Sequence, residues 1–345
     1  MLGHDVRDAQ RPVVGVLGAI GHTPLVALRR YLSRAGVEVW AKLEASNPGG
    51  SAKDRSAARM LQDALDCRMI KAGTTVIEST SGNLGVGLAQ ACRYHGLRLI
   101  CVVDVRAHAI SVGTMRALGA DVRVVDSDSE DLLAARLKLV AELVSSTEDS
   151  FWPNQYANLS NPAAHAEGTM REIDEALDGE LDYLFVATST TGTLRGCRDY
   201  LCANDRATKV VAVDAVGSAL FGGLPGSRQL PGFGAGVQSE LSLGATFDHL
   251  LRVSDLDCVV GCRRLVEREA VFAGASSGGV AVALERLAGA LPSGSRCAMI
   301  LPDGGAGYLD TVYDDEWVRS ALHCPPETLA EKVGPSASLR EPAAR

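Results

Sequence analysis

Asn47-Pro48-Gly49-Gly50-Ser51-Ala52-Lys53-Asp54-Arg55 follows the strand-like run of residues 37–44 and precedes a helix-like, Ala- and Leu-rich run that begins near Ser56. Ser51 and Asp54 are both placed to cap the start of that helix. A lysine at a strand–turn–helix junction lies in the positive potential of a helix N-terminus. That potential, with desolvation, lowers the pKa of an amine and makes it a better nucleophile. Lys53 is therefore a candidate for bonding covalently to a carbonyl group. Taken alone it also reads as a solvated residue after a turn, the commoner case.

The 345 residues suffice for two domains or one large α/β unit. A net charge of -8 argues against nucleic acid or an anionic membrane as main partner. Nine cysteines, an odd number with no CxxC pair, read as buried thiols in a reducing cytoplasm rather than as a disulfide framework or zinc site. No apolar stretch has the length of a membrane span, and Asp5 and Asp8 do not suit a signal segment.

Short β-branched runs alternate with Ala/Leu/Arg-rich ones. Strands are expected over residues 37–43, 75–78, 98–103, 121–125, 183–187, 209–214, 251–253 and 298–301. Helices are expected over 56–67, 83–94, 111–118, 129–145, 162–177, 193–203, 262–273 and 278–290. A β-α-β-α order implies parallel sheets covered by helices, with ligands beyond the carboxyl ends of the strands. Residues 1–12 read as a loose arm, and residues 325–345, rich in Pro, Ala, Glu and Ser, as a disordered tail.

Three further loops fall where such a site would lie. Glu78-Ser79-Thr80-Ser81-Gly82-Asn83 offers hydroxyls, an amide and backbone N–H groups suited to a carboxylate or a ring oxygen. Ala187-Thr188-Ser189-Thr190-Thr191-Gly192-Thr193 follows a strand and opens a helix, as a phosphate cradle does, without being a Walker loop or GxGxxG. Gly274-Ala275-Ser276-Ser277-Gly278-Gly279 lets backbone approach a flat ligand and offers a hydroxyl to a ring nitrogen. Each also reads as a capped turn. Together with Lys53 they match the needs of pyridoxal 5'-phosphate and an amino-acid substrate.

Gly21-His22-Thr23-Pro24-Leu25, the Lys53 stretch and Thr80-Ser81-Gly82-Asn83 resemble the cysteine synthase/cystathionine β-synthase family over about residues 18–317. The resemblance implies an α/β fold-type II pyridoxal-phosphate enzyme with two three-layer αβα domains and twisted, mainly parallel sheets. A large cofactor-binding domain is expected over 1–45 and 156–324, and a small mobile one over 46–155. By the same resemblance Lys53 is the catalytic, cofactor-bonding lysine. Asn83 meets the ring hydroxyl oxygen, and Ser276, with Ser277 as alternate, meets the ring nitrogen. Ser189, Thr190, Thr191, Gly192 and Thr193 form the phosphate loop. Ser79, Thr80, Ser81 and Gln155 lie on the substrate carboxylate. No metal is implied.

Departures from the family narrow the substrate. Ser79 stands where proline is usual, Leu84 where threonine is usual, and Ser189 and Thr191 where glycine is usual; Tyr156 replaces a phenylalanine. Ser189 and Tyr156 add hydroxyls that suit a second substrate more polar than sulfide. Residues 79–85, 151–158 and 213–218 are most similar to the 2,3-diaminopropionate branch of the family. Its members join O-phospho-L-serine to L-glutamate, giving N-(2-amino-2-carboxyethyl)-L-glutamate for siderophore or peptide-antibiotic pathways. That implies a homodimer and a downstream dehydrogenase. Arg136 is a candidate partner for the substrate anions, or else a solvated residue on the helix 129–145. The alternatives are a cysteine synthase using O-acetylserine or O-phosphoserine with sulfide, and a non-catalytic regulatory relative.

Overall fold

The β-branched runs and the helical runs between them segregate into two sheets with helices on both faces. The computed structural model describes residues 12–32, 36–80, 82–125 and 132–334. The expected arm before residue 12, Ser81, the start of the helix expected from 129 and the end of the tail lie outside them. In chain order the strands are β1 (Leu25–Ala27), β2 (Glu38–Leu43), β3 (Thr75–Ser79), β4 (Arg98–Asp104), β5 (Asp121–Val125), β6 (Ser150–Phe151), β7 (Tyr183–Ala187), β8 (Lys209–Ala215), β9 (His249–Val253) and β10 (Arg296–Leu301). The helices are α1 (Lys53–Asp66), α2 (Asn83–His95), α3 (Ala109–Ala117), α4 (Leu132–Ser146), α5 (Ser160–Ala164), α6 (Arg171–Ala176), α7 (Gly192–Ala203), α8 (Asp255–Glu269), α9 (Ala275–Leu287), α10 (Asp315–Leu322) and α11 (Pro326–Val333).

The larger sheet runs β1-β2-β10-β7-β8-β9 and the smaller β5-β4-β3-β6. Among the pairs of these strands only β1–β2 is antiparallel. Alternation along the strands feeds a core on each face. Phe185, Val211, Val213 and Met299 pack toward Val280 and Leu284 of α9, whereas Leu184, Val186, Val210 and Ile300 pack toward Leu194 and Leu201 of α7. The smaller sheet repeats this, with Val76, Leu99 and Cys101 against α1 and α2, and Ile77, Ile100 and Val102 against Val140 of α4. Each such buried side chain contributes about 1.5–3 kcal/mol.

Four expectations about elements need correction. β1 and β6 were not anticipated, because three and two residues are too short to show a period. Helix α8 begins at Asp255, not 262, set by a capping box in which Ser254 and Asp257 bond each other's backbone. The chain beyond 313 was not expected to be helical, yet Asp314 caps α10, whose Val318 is buried. Beyond 324 the chain is not a disordered tail as far as residue 334. Pro326 opens α11, Leu329 and Val333 pack on the core, and Arg264 donates to the Val333 carbonyl (3.1 Å). Seven of the nine free cysteines are buried as expected, but Cys67, at the end of α1, and Cys202, in the last turn of α7, are exposed.

Candidate active site

The Lys53 loop is sewn to the end of β10. Ala52 N–H donates to the Pro302 carbonyl (2.8 Å), and Ser51 pairs with Asp303 in an antiparallel bridge. Neither expected cap occurs. Ser51 Oγ accepts from Lys53 N–H (3.2 Å), and the Asp54 carboxylate turns back to Gly49 N–H (2.5 Å). Burial pushes the Asp54 carboxyl up to about 7, against the Gly49 bond. Burial also lowers the Lys53 amine below its usual range, opposed by the charges of Asp303 and Glu44.

A buried ionic cluster anchors the first turn of α1. Arg55 forks onto Glu44 (2.7 and 2.8 Å) and onto Glu172 (2.7 and 2.8 Å). Lys42 pairs with Glu172 (2.7 Å) and donates to the Thr23 carbonyl, while Thr23 Oγ1 donates to Glu44 (2.7 Å). Two cations and two anions balance, and Arg55 and Lys42 hold Glu172 well below the usual carboxylate range although burial pushes it up. Thr23 of the Gly-His-Thr-Pro-Leu motif thus acts on the Lys53 helix through this cluster.

The second loop is ordered by Glu78, a residue to which its sequence motif assigns no role. Its buried carboxylate accepts from Ser79 N–H (2.9 Å), Gln155 N–H (3.3 Å) and Trp152 Nε1 (3.2 Å), and Gln155 Nε2 donates to the Ser79 carbonyl (3.2 Å). The Ser79 N–H contact requires that this position not be proline. Among the described residues Ser79 Oγ is buried without a partner. Thr80 is buried beside it. Asn83, the first residue of α2, donates through Nδ2 to Asp303 (2.8 Å).

In the third loop Thr191 has φ +68°, a left-handed conformation that strains a β-branched residue and suits glycine. Its hydroxyl donates to the Thr190 carbonyl (2.6 Å) and meets Ser239, so it is directed inward. Ser189 Oγ donates to the Gly234 carbonyl (3.2 Å). Gly192 has no room for a side chain: a Cβ would lie 2.3 Å from Asn161 Oδ1. Asn161 donates to the Gln155 carbonyl (2.8 Å) and to Thr190 Oγ1 (3.3 Å), and accepts from Ser56 (2.8 Å). His165 Nε2 lies 3.2 Å from both Ser56 and Thr193, and Nδ1 3.0 Å from Thr169. Ser56 gives its proton to Asn161 and so accepts at its contact with His165; a hydrogen on Nε2, with Thr169 donating to Nδ1, is the tautomer that satisfies this contact. Burial, then the charges of Lys53 and Arg55, keep this imidazole neutral. Asn161, His165 and Thr169 recur every four residues on one helix face, a polar stripe that was readable in the sequence.

The fourth loop opens α9. Gly274 N–H donates to the Asp303 carbonyl (3.0 Å), Ser276 is buried, and Ser277 Oγ is buried without a partner among the described residues. Arg136 is not the solvated residue of the alternative reading: it is buried and pairs with Asp104 (3.2 Å). Burial raises the Tyr156 hydroxyl above its usual range; the charges of Arg136 and Arg228 oppose this and that of Glu78 adds to it.

An amine lowered by burial thus stands with a helix N-terminus ringed by hydroxyls, an anchored amide, and serines on a second helix start. The family model for pyridoxal-phosphate dependent enzymes matches residues 16–303. The chain belongs to this family. Its cofactor is pyridoxal phosphate, and the residues present fit that group. The first-turn N–H groups of α7, beside Thr190 and Thr193, have no intrahelical partners and suit a phosphate. The unpartnered Ser277 hydroxyl and neighbouring Ser276 are available to a ring, and Lys53 forms no ion pair or hydrogen bond through Nζ among the described residues. Among relatives, the chain is 44% identical over 305 residues to N-(2-amino-2-carboxyethyl)-L-glutamate synthase of Ralstonia nicotianae, covering 88% of this chain and 90% of that one. Among solved family members, it resembles the O-acetylserine dependent cystathionine beta-synthase of Helicobacter pylori (31% identity, TM-score 0.82, 88% and 99% of the two chains). It also resembles a hydrogen sulfide-producing enzyme of Fusobacterium nucleatum (31%, 0.81, 86% and 100%) and O-ureido-L-serine synthase (30%, 0.82, 90% and 100%).

Proposed function

We propose that this enzyme joins O-phospho-L-serine to L-glutamate, giving N-(2-amino-2-carboxyethyl)-L-glutamate and inorganic phosphate, a step toward L-2,3-diaminopropionate. The observation that carries this reading is the 44% identity, over most of both chains, to a synthase of that product. When bound, pyridoxal phosphate supplies an electron sink for negative charge at the substrate α-carbon. The chain does the rest. The Lys53 amine, unprotonated more readily because it is buried, takes the α-proton and later returns it. The β-carbon–oxygen bond breaks with its electron pair leaving on phosphate. The glutamate amine then bonds to the β-carbon and loses a proton. Thr80, Ser81 and Gln155 hold the substrate carboxylate; Ser79, Ser189, Tyr156 and Arg136 face the anions of donor and acceptor. Thr190, Gly192 and Thr193 hold the cofactor phosphate, Asn83 the ring hydroxyl, and Ser276 the ring nitrogen. Within residues 46–155, the small sheet and the helices beyond Arg55 close on the carboxylate.

The enzyme acts as a cytoplasmic homodimer, and a dehydrogenase cleaves its product for a siderophore or peptide antibiotic. Among the described residues no helix is long and apolar enough to cross a membrane. Exposed Val13 and Val14 support a partner copy. Mass analysis of the product from O-phosphoserine with L-glutamate tests the proposal. Turnover with sulfide and none with glutamate refutes it in favour of a cysteine synthase. Elimination before addition also requires ping-pong kinetics.

A further inference from the structure

Asn83 can serve a ring hydroxyl only if its amide is held with the nitrogen end toward the site. One residue does this. Asp303 Oδ2 accepts from Asn83 Nδ2 (2.8 Å) and from Tyr308 OH (2.8 Å). A carboxylate is an acceptor only, so it selects the nitrogen end of the amide and leaves the second N–H for an oxygen of the ligand. Asp303 is 6% exposed, and its Oδ1 is buried without a partner among the described residues, where a Cβ on Gly274 would lie 2.1 Å away. Its backbone bridges Ser51 and accepts from Gly274 N–H. It therefore touches the Lys53 loop, the Asn83 helix and the Ser276 helix together.

We infer that Asp303 is a positioning residue: its carboxylate orients the Asn83 amide and supplies the counter-charge of the Lys53 amine in the ring pocket. This rests on the reading of Lys53 and Asn83 as cofactor residues. The charges agree with the geometry. Asp303 raises the Lys53 amine against burial, and burial raises Asp303 while Asn83, Tyr308, Lys53 and His108 hold it down. The other titratable groups facing the pair are Glu44, His165 and Cys262.

The test uses full-length protein carrying Asp303→Asn, Asp303→Ala, Asn83→Ala or Asp303→Ala with Asn83→Ala. Two quantities are measured: the affinity for pyridoxal 5'-phosphate added to cofactor-free protein, and the pH midpoint of Lys53 acylation, read by mass spectrometry without cofactor. Loss of the carboxylate charge in Asp303→Asn lowers the acylation midpoint by about one pH unit. Asp303→Ala and Asn83→Ala each weaken cofactor binding about tenfold, and the double variant loses little more than either, because both act through one contact. An unchanged midpoint in Asp303→Asn, or fully additive losses in the double variant, overturns the inference. If Asn83→Ala leaves cofactor affinity intact, the reading of the site itself fails, and the inference with it.

Discussion

Replacing Glu78 by glutamine changes one atom, and its consequence depends on pH in a calculable way. Burial pushes this carboxyl up to about 7 from its ordinary 4.5, in spite of the donors from Ser79, Gln155 and Trp152. A folded pKa above the unfolded one means that the native state binds the proton more tightly. The resulting stability is complete below pH 4.5 and is lost as pH rises through about 7. At about 1.4 kcal/mol per pH unit, the whole gap is worth about 3 kcal/mol. The wild type should therefore lose about 3 kcal/mol from this group between pH 4.5 and 8, and Glu78→Gln should lose none. The amide keeps one accepting oxygen where the carboxylate has two, so at least one of the three donors goes unpaired, at about 1–2 kcal/mol independent of pH. The variant should thus be the less stable protein at pH 5 and should equal or exceed the wild type at pH 8. Urea denaturation of the two cofactor-free proteins in parallel, at several pH values, gives the difference directly. A difference that stays level from pH 5 to 8 refutes the assignment of a protonatable Glu78 beneath the substrate loop.

Three further outcomes follow from particular contacts. Gly192→Ala drives a methyl group into Asn161 and should weaken cofactor binding at least about tenfold, measured by equilibrium dialysis. Thr191→Gly relieves a left-handed β-branched residue and should raise stability by about 1 kcal/mol, seen as a higher melting temperature. Tyr156→Phe should raise the KM for L-glutamate severalfold while leaving phosphate release from O-phosphoserine alone unchanged; an equal loss in both would place the hydroxyl on the donor instead.

The parts of the site that could be read in the sequence are those written into one short stretch. Lys53, Ser79 to Asn83 and the hydroxyls of 188–193 each follow a strand and open a helix, so their neighbours in the chain are their neighbours in space. Asp303 gave no such signal. Pro302-Asp303-Gly304 reads as a turn, and its partner Asn83 lies 220 residues away. Glu78 stood in a quoted motif, but its role depends on Trp152 and Gln155, which only the parallel pairing of β3 with β6 brings near. Arg136 could not be decided from helical spacing, because its burial depends on Asp104 at the end of β4. Composition misled at the C-terminal end, where Leu329 and Val333 are enough to dock a helix.

The arrangement also explains why the larger sheet, rather than the smaller, controls Lys53. Helix α1 packs with the small sheet through Ala57, Met60 and Leu61. Its first turn, however, is gripped by Glu44 and Lys42 of the β2 edge, by Glu172 of α6 and by the Pro302 carbonyl after β10. Removing one partner from a buried ion cluster leaves an uncompensated charge, at about 3–5 kcal/mol. That cost is large against the few kcal/mol of a closing motion. A small unit that moves over the substrate must therefore pivot beyond Arg55, with Lys53 staying fixed on the large sheet. Asn83 is tied to the same sheet through Asp303, whereas Thr80, hydrogen-bonded to the Val102 carbonyl of β4, is free to travel with the small one.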